Sequence, residues 1–300
     1  MRYKSLLLAV VPVLGLAELG LHQLFRARAP GFDAYAALGQ ELTRAKLPGM
    51  PVVVAPRWAE PLVRQAAPEA FPLAELTRPD DSGFASFLQV SLLGATAPEL
   101  AGLSVRGEKR VGPFTLTVLD RQRPERIEFD FVTAVDTGQV EVWHDVSGQR
   151  AQCRFVRRER STTGGLHGPA MRPRQRHECE GGAVVAVTLI EDEHYRPRRC
   201  ILVDPVTRGS VVLRFSSAPA TRRFVGWSGF SYFLHRDVGG TPVELAVRDG
   251  NAELGTHGAT PAAGWQRFEL NRSGPSGVVE VEVRREAAEP GDFCFAMEAR

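Results

Sequence analysis

CILVDP (200–205), SVVLRFS (210–216), PVELAVRDG (242–250), WQRFELN (265–271), GVVEVEVRR (277–285) and DFCFAMEAR (292–300) follow one another along the last hundred residues. Several of these runs alternate apolar and polar residues with a period of two, and Gly, Pro, Asn and Asp stand between them. That is the pattern of short antiparallel strands with one buried face. A cysteine opens the stretch at Cys200 and another closes it at Cys294. The reading is a jelly-roll β-sandwich over residues 198–300.

Upstream, residues 105–197 are β-rich too. PFTLTVLDR (113–121), RIEFDFVTA (126–134), QVEVWHDV (139–146), AQCRFVRRE (151–159) and AVVAVTLIED (183–192) read as half-buried strands. Between Cys153 and Cys179 lies an aperiodic stretch rich in Gly, Pro and Arg, and a loop of that length needs tethering or a function. Residues 30–104 change character. FDAYAALGQELTRAKL (32–47) spaces Tyr35, Leu38, Leu42 and Leu47 for one helix face, and Pro48-Gly49 stops it. PVVVAP (51–56) reads as a buried strand and RWAEPLVRQAAP (57–68) as a short helix, which together predict a small α/β unit. Residues 1–29 pair a basic start, MRYK, with an apolar run to Phe25. That run reaches about 20 residues, long enough to span a bilayer as a signal anchor. Gly15-Leu16-Ala17 offers the alternative of a cleaved signal, and a buried helix is the third possibility. The fold class is thus α+β, mostly β: a signal-anchor helix, an α/β unit, a β-rich middle and a sandwich.

Four cysteines in an exported chain favour disulfides. Three pairings are open. Cys153–Cys179 would close the irregular loop at its base, and Cys200–Cys294 would join the first and last strands of the sandwich, as jelly-roll topology allows. A zinc site has neither a CxxC nor an HxxxH pair to support it.

The chain has 300 residues, a charged fraction of 24% and a net charge of +2. That balance supplies no global pull toward nucleic acid, which export disfavours as well. Nearly all the cations are arginine; the lysines are Lys4, Lys46 and Lys109. No nucleophile elbow, phosphate loop, dinucleotide fingerprint or H-E-x-x-H is present, so no catalytic residue, metal or cofactor is assigned. His144-Asp145 stand on opposite faces of a strand. Asp80-Asp81 read as turn residues, and Glu191-Asp192-Glu193-His194 as a solvated connector. Seven arginines between Cys153 and Cys179 (154, 157, 158, 160, 172, 174 and 176) form a basic stretch for an anionic ligand. RFVGWSGFSYFLHRD (223–237) is the richest aromatic run. If its rings face solvent, Trp227 and Tyr232, with Trp265, form a platform on which sugar C–H faces stack; the competing role is core packing. Trp58 closes the predicted strand of the α/β unit, where such folds bind ligands.

PVELAVRDG (242–250), GWQRFEL (264–270), VVEVEVRR (278–285) and FCFAMEA (293–299) resemble the galactose-binding-like β-sandwiches of carbohydrate-binding modules. The resemblance implies a sandwich and glycan as the partner. PVVVAPRWAEPLVRQ (51–65), following an apolar N-terminus, looks like the soluble tail of membrane sugar transferases. This chain lacks their many membrane helices. The expected protein is an inner-membrane-anchored, non-catalytic envelope protein that binds glycan or an envelope partner. The alternatives are a carbohydrate-active enzyme or transferase accessory subunit, and a structural assembly subunit.

Overall fold

The computed structural model describes residues 13–23, 29–158, 173–193, 196–204, 209–231, 242–272, 277–285 and 293–300. The chain forms two units, one of Met1–Pro72 with Ala85–Gln122, the other of Leu73–Phe84 with Arg123–Arg300.

In the first unit, residues 13–23 form a helix (α1) whose side chains are all exposed. Helix α2 (Phe32–Ala45) buries Tyr35, Leu38 and Leu42, the spacing read from the sequence, whereas Leu47 lies beyond its end and is exposed. Strand β1 (Val52–Ala55) leads to helix α3 (Glu60–Ala66). Helices α2 and α3 pack so closely at Gly39 that a Cβ there would lie 2.3 Å from the Ala66 carbonyl oxygen. Three further strands, β2 (Ser86–Leu92), β3 (Ser104–Val111) and β4 (Phe114–Asp120), complete a sheet of order β1-β2-β4-β3. The β1–β2 pair is parallel and the other two are antiparallel.

The expected division at residue 104 therefore cuts through this sheet. Strand β4, assigned from sequence to the β-rich middle, is an inner strand here with Phe114 and Leu116 buried. Alternation reveals that a strand is half-buried but not which sheet it joins.

The second unit begins with helix α3′s successor, α4 (Leu73–Leu76), and continues with β5 (Phe129–Asp130) and α5 (Phe131–Asp136). RIEFDFVTA was expected to be a strand, and the structure corrects this. Asp130 caps a helix there, its Oδ1 accepting from the Val132 and Thr133 amides at 2.9 and 3.3 Å. Phe131, Val132, Ala134 and Val135 then fall on the buried side.

Thirteen strands follow: β6 (Glu141–Val146), β7 (Gln149–Gln152), β8 (Arg154–Arg157), β9 (Gln175–Glu178), β10 (Val184–Glu191), β11 (Pro197–Asp204), β12 (Ser210–Phe215), β13 (Arg223–Phe230), β14 (Val243–Asp249), β15 (Ala252–Ala259), β16 (Gln266–Asn271), β17 (Val279–Arg285) and β18 (Phe293–Ala299). One sheet runs β16-β13-β18-β11-β10-β9-β8, with β5 paired to β18, and the other runs β15-β14-β17-β12-β6-β7. Their inner faces make one core that includes Phe131, Phe215, Phe224, Phe293 and Phe295. Phe131 meets Phe215 and Phe224 edge-on at 4.8 and 5.6 Å, the geometry that ring quadrupoles favour.

The β-sandwich read from sequence is present, but it starts well before residue 198. Strands β10 and β11 pair along eight residues, from Val184↔Asp204 to Glu191↔Pro197, so the middle and final regions share their sheets. Inside the unit, Asp249 and Arg272 form a buried bidentate pair at 2.5 and 2.9 Å.

Candidate functional site

In the second unit, β11 and β18 pair only from Ile201↔Phe295 to Val203↔Phe293. Toward the start of β11 they separate. There the Arg199 amide donates to the Thr77 carbonyl at 3.3 Å, and Glu298 takes Asp130 as its register partner instead. The opening leaves a cleft of about 210 Å³ lined by Thr77, Asp130, Thr133, Arg199 and Glu298 among others. An open groove of about 820 Å³ lies beside it, with Asp136, Gln175, Val187 and Leu189 on its walls. Ala74, Thr77 and Arg199 line both, so cleft and groove form one concave surface.

Arg199 is fixed at the junction. Its Nη2 donates to Asp136 Oδ2 at 2.6 Å and its Nη1 to Thr133 Oγ1 at 3.3 Å, with Asp130 Oδ2 at 4.0 Å. A guanidinium beside carboxylates, hydroxyls and a carboxamide offers donors and acceptors close together, the kind of set that polyhydroxylated ligands use. Val187 and Leu189 supply an apolar wall. The groove lies within the volume range of small-molecule sites and the cleft below it.

Glu298 is almost fully buried. Burial pushes its carboxyl above the usual range, with Asp80 and Asp130 adding to the rise and Arg300 opposing it. Its Oε2 accepts from Arg300 Nε at 3.0 Å and Nη2 at 2.5 Å. Arg300 also donates to Asp80 Oδ1 at 2.9 Å and to Glu125 Oε2 at 2.7 Å. Burial alone would raise Asp80, but hydrogen bonds from Arg300 and Ser82 bring it below the ordinary carboxylate value. Asp80 is thus a turn residue, accepting from the Ser82 amide at 3.1 Å, and an ion-pair partner as well.

Of the aromatic residues expected to form a platform, Trp227 and Trp265 are described. Trp227 is 4% exposed and its ring is covered by the Arg300 guanidinium. Trp265 is half-buried against Ile190, Cys200, Leu202 and Cys294. Its amide donates to Glu193 Oε2 at 2.9 Å, and its indole Nε1 is buried without a hydrogen-bond partner. Tyr232 lies outside the described residues.

Both disulfides are formed, Cys153–Cys179 and Cys200–Cys294, with S–S distances of 2.01 and 2.05 Å. Two bridges fit an extracellular or periplasmic body. Where it is described, three arginines of the basic stretch share one carboxylate, so the stretch keeps net positive charge. Arg154, Arg158 and Arg176 converge on Glu178 at 3.8, 2.9 and 2.7 Å, while Arg160 and Arg172 lie outside the described residues. The Glu191–Glu193 connector is less solvated than expected: Asp192 is buried and pairs with Arg198 at 2.8 Å. Asp145 accepts from the Gly148 amide at 2.9 Å and from Arg150 at 3.2 Å, as a turn residue. No metal-ligating group of three or more residues occurs among the described residues.

Arg199, Asp130, Asp136 and Glu298 were not singled out from the sequence. They come from three distant segments, and only the local signal at Asp130, an acid starting a helix, could have drawn attention to one of them.

Solved structures similar to this chain include carbohydrate-binding modules. One is the M60 catalytic domain with its CBM51-1 and CBM51-2 domains from Clostridium perfringens ZmpB, at 10% identity and a TM-score of 0.30, covering 67% of this chain and 20% of that one. A second is CBM51 from Clostridium perfringens GH95 in complex with methyl-galactose, at 12% identity and a TM-score of 0.29, covering 48% and 95%. A third is TmCBM61 in complex with β-1,4-galactotriose, at 14% identity and a TM-score of 0.25, covering 38% and 82%. This chain spans only a fifth of the first of these, and at such identities and scores the likeness assigns neither ligand nor residue. No protein-family model and no curated protein matches the chain.

Proposed function

We propose that this chain is a non-catalytic extracytoplasmic protein that binds glycan in the cleft and groove of its second unit and is held at a membrane by residues 1–29. The observation that carries the glycan reading is the position of Arg199, at the junction of cleft and groove and bonded on either side to Asp136 and Thr133. The apolar run after MRYK supports the anchor. Of that segment only residues 13–23 are described, and among the described residues no helix is long and apolar enough to cross a membrane. A glycan array probed with the full chain in detergent tests the binding, with Arg199→Ala beside it. Binding that falls at least tenfold in the variant supports the proposal; no bound glycan, or binding indifferent to the variant, removes it.

A carbohydrate-active enzyme is the second reading, because Asp130 and Glu298 are cross-strand partners lining the same cleft and carboxylate pairs cleave glycosidic bonds. Both side chains already have structural partners, which favours binding over turnover. Release of reducing sugar from a bound glycan, lost in Glu298→Gln, would reverse that preference.

A further inference from the structure

Within the first unit, an apolar surface stands without cover. Phe32, the first residue of α2, is 88% exposed, Trp58 is 63% exposed and Leu62 is 41% exposed. Trp58 lies in the 3-10 turn Arg57–Ala59 that leads directly into α3, four residues before Leu62. Leu62 and Gln65 share a groove of about 460 Å³ with Pro30, Phe32, Tyr35 and Ala36. Isolated apolar residues on a surface need no explanation, whereas a contiguous group does.

The chain itself indicates the cover. Pro30, at the lip of the groove, follows closely on the segment that contains α1. The large apolar residues of α1, Val13, Leu14, Leu16, Leu19 and Leu21, are each more than half exposed. Two unpartnered apolar features joined by a few residues are satisfied by one apolar phase, and a bilayer is such a phase. Trp58 has the character of an interfacial residue, an apolar ring with one polar N–H.

We propose that the Phe32–Trp58–Leu62 surface rests in the interfacial layer of the membrane, so that the first unit lies on the bilayer instead of standing off it on a tether. This inference rests on the anchor reading of residues 1–29. The immediate energetic contribution of such a contact is the burial of three large side chains against acyl chains and headgroups.

The test uses the full chain reconstituted into phosphatidylcholine vesicles, with and without acyl-brominated lipid. Flotation reads the anchor, and bromolipid quenching of tryptophan fluorescence reads the depth of Trp58. The expected result is a chain that floats, with bromolipid quenching that falls by more than half in Trp58→Phe. Phe32→Ser with Leu62→Ser should lower the same quenching while flotation persists. A chain that floats but is quenched equally in Trp58→Phe overturns this inference and leaves the anchor standing. Trp58 shielded from both bromolipid and aqueous iodide would show a protein partner or a second copy on the surface, and also overturns it. A chain that does not float overturns the anchor reading, and this inference with it.

Discussion

The guanidinium of Arg300 lies over the indole of Trp227, its Cζ 5.3 Å from the ring centroid, while its nitrogens reach Asp80, Glu125 and Glu298. One buried cation thus holds the 73–84 segment and the end of β18 together within the second unit. Removing it leaves the Glu298 carboxyl buried without its partner. Arg300→Ala should therefore cost roughly 3–5 kcal/mol of stability, the range for breaking a buried pair. Urea unfolding checks this, and adding Glu298→Gln should cost far less than its single-variant value, because the pair then no longer exists to be broken.

Between the disulfides, the longer loop should matter more. Cys200 and Cys294 are 94 residues apart and Cys153 and Cys179 are 26 apart. Chain-entropy arithmetic gives about 4.7 kcal/mol for the first and about 3.5 kcal/mol for the second. Paired Cys→Ala variants compared by urea unfolding under oxidising conditions should lower the midpoint in that order.

Acid should weaken the sandwich through His177. Its ring is buried, has no hydrogen-bond partner on either nitrogen, and packs against Phe155 at 5.0 Å. Burial lowers its pKa to about 4. The folded value lies below the unfolded one near 6.5, so protonation favours the unfolded chain. Stability from this residue is complete above about pH 6.5, falls as pH drops toward about 4, and changes no further below that, a loss of about 3 kcal/mol in all. His177→Leu should flatten the pH profile across that window, and the difference between the two profiles isolates His177 from the carboxylates.

At the proposed binding surface, Arg199→Ala should lower glycan affinity by about 10- to 100-fold, the worth of one charge-assisted hydrogen bond at roughly 1.5–3 kcal/mol. Its ion pair with Asp136 is partly exposed, so the unfolding midpoint should move little. Trp265→Phe keeps the ring against the disulfide and should leave binding unchanged. Titration calorimetry on the best array glycan checks both.

Many of the strands, the helix face of Tyr35, Leu38 and Leu42, and the presence of disulfides were legible in the sequence because each follows from local spacing or from the chemistry of one residue type, whereas the pairing of the four cysteines stayed open until the structure gave it. Sheet membership was not. Phe114–Asp120 has the same alternation whether it joins the four-stranded sheet or the sandwich, and its partners Ser86–Leu92 and Ser104–Val111 are identified only by the three-dimensional pairing. The run 126–134 misled because Glu128-Phe129-Asp130-Phe131 alternates like a strand while Asp130 turns the backbone into a helix. The candidate site was invisible for a similar reason. Arg199 reads as one arginine among many, and its significance comes from Asp136 and Thr133, more than sixty residues away. Trp227 shows the converse: a ring that suggested a ligand platform is covered by a cation near the far end of the chain.

Strand β18 lies inside its sheet, between β13 and β11. In a chain emerging in N-to-C order, from a ribosome or an export channel, β13 and β11 have no strand between them until residues 293–299 arrive. Cys200 waits for the same moment to meet its oxidation partner. Completion of the sheet and closure of the Cys200–Cys294 bridge therefore both depend on the appearance of β18.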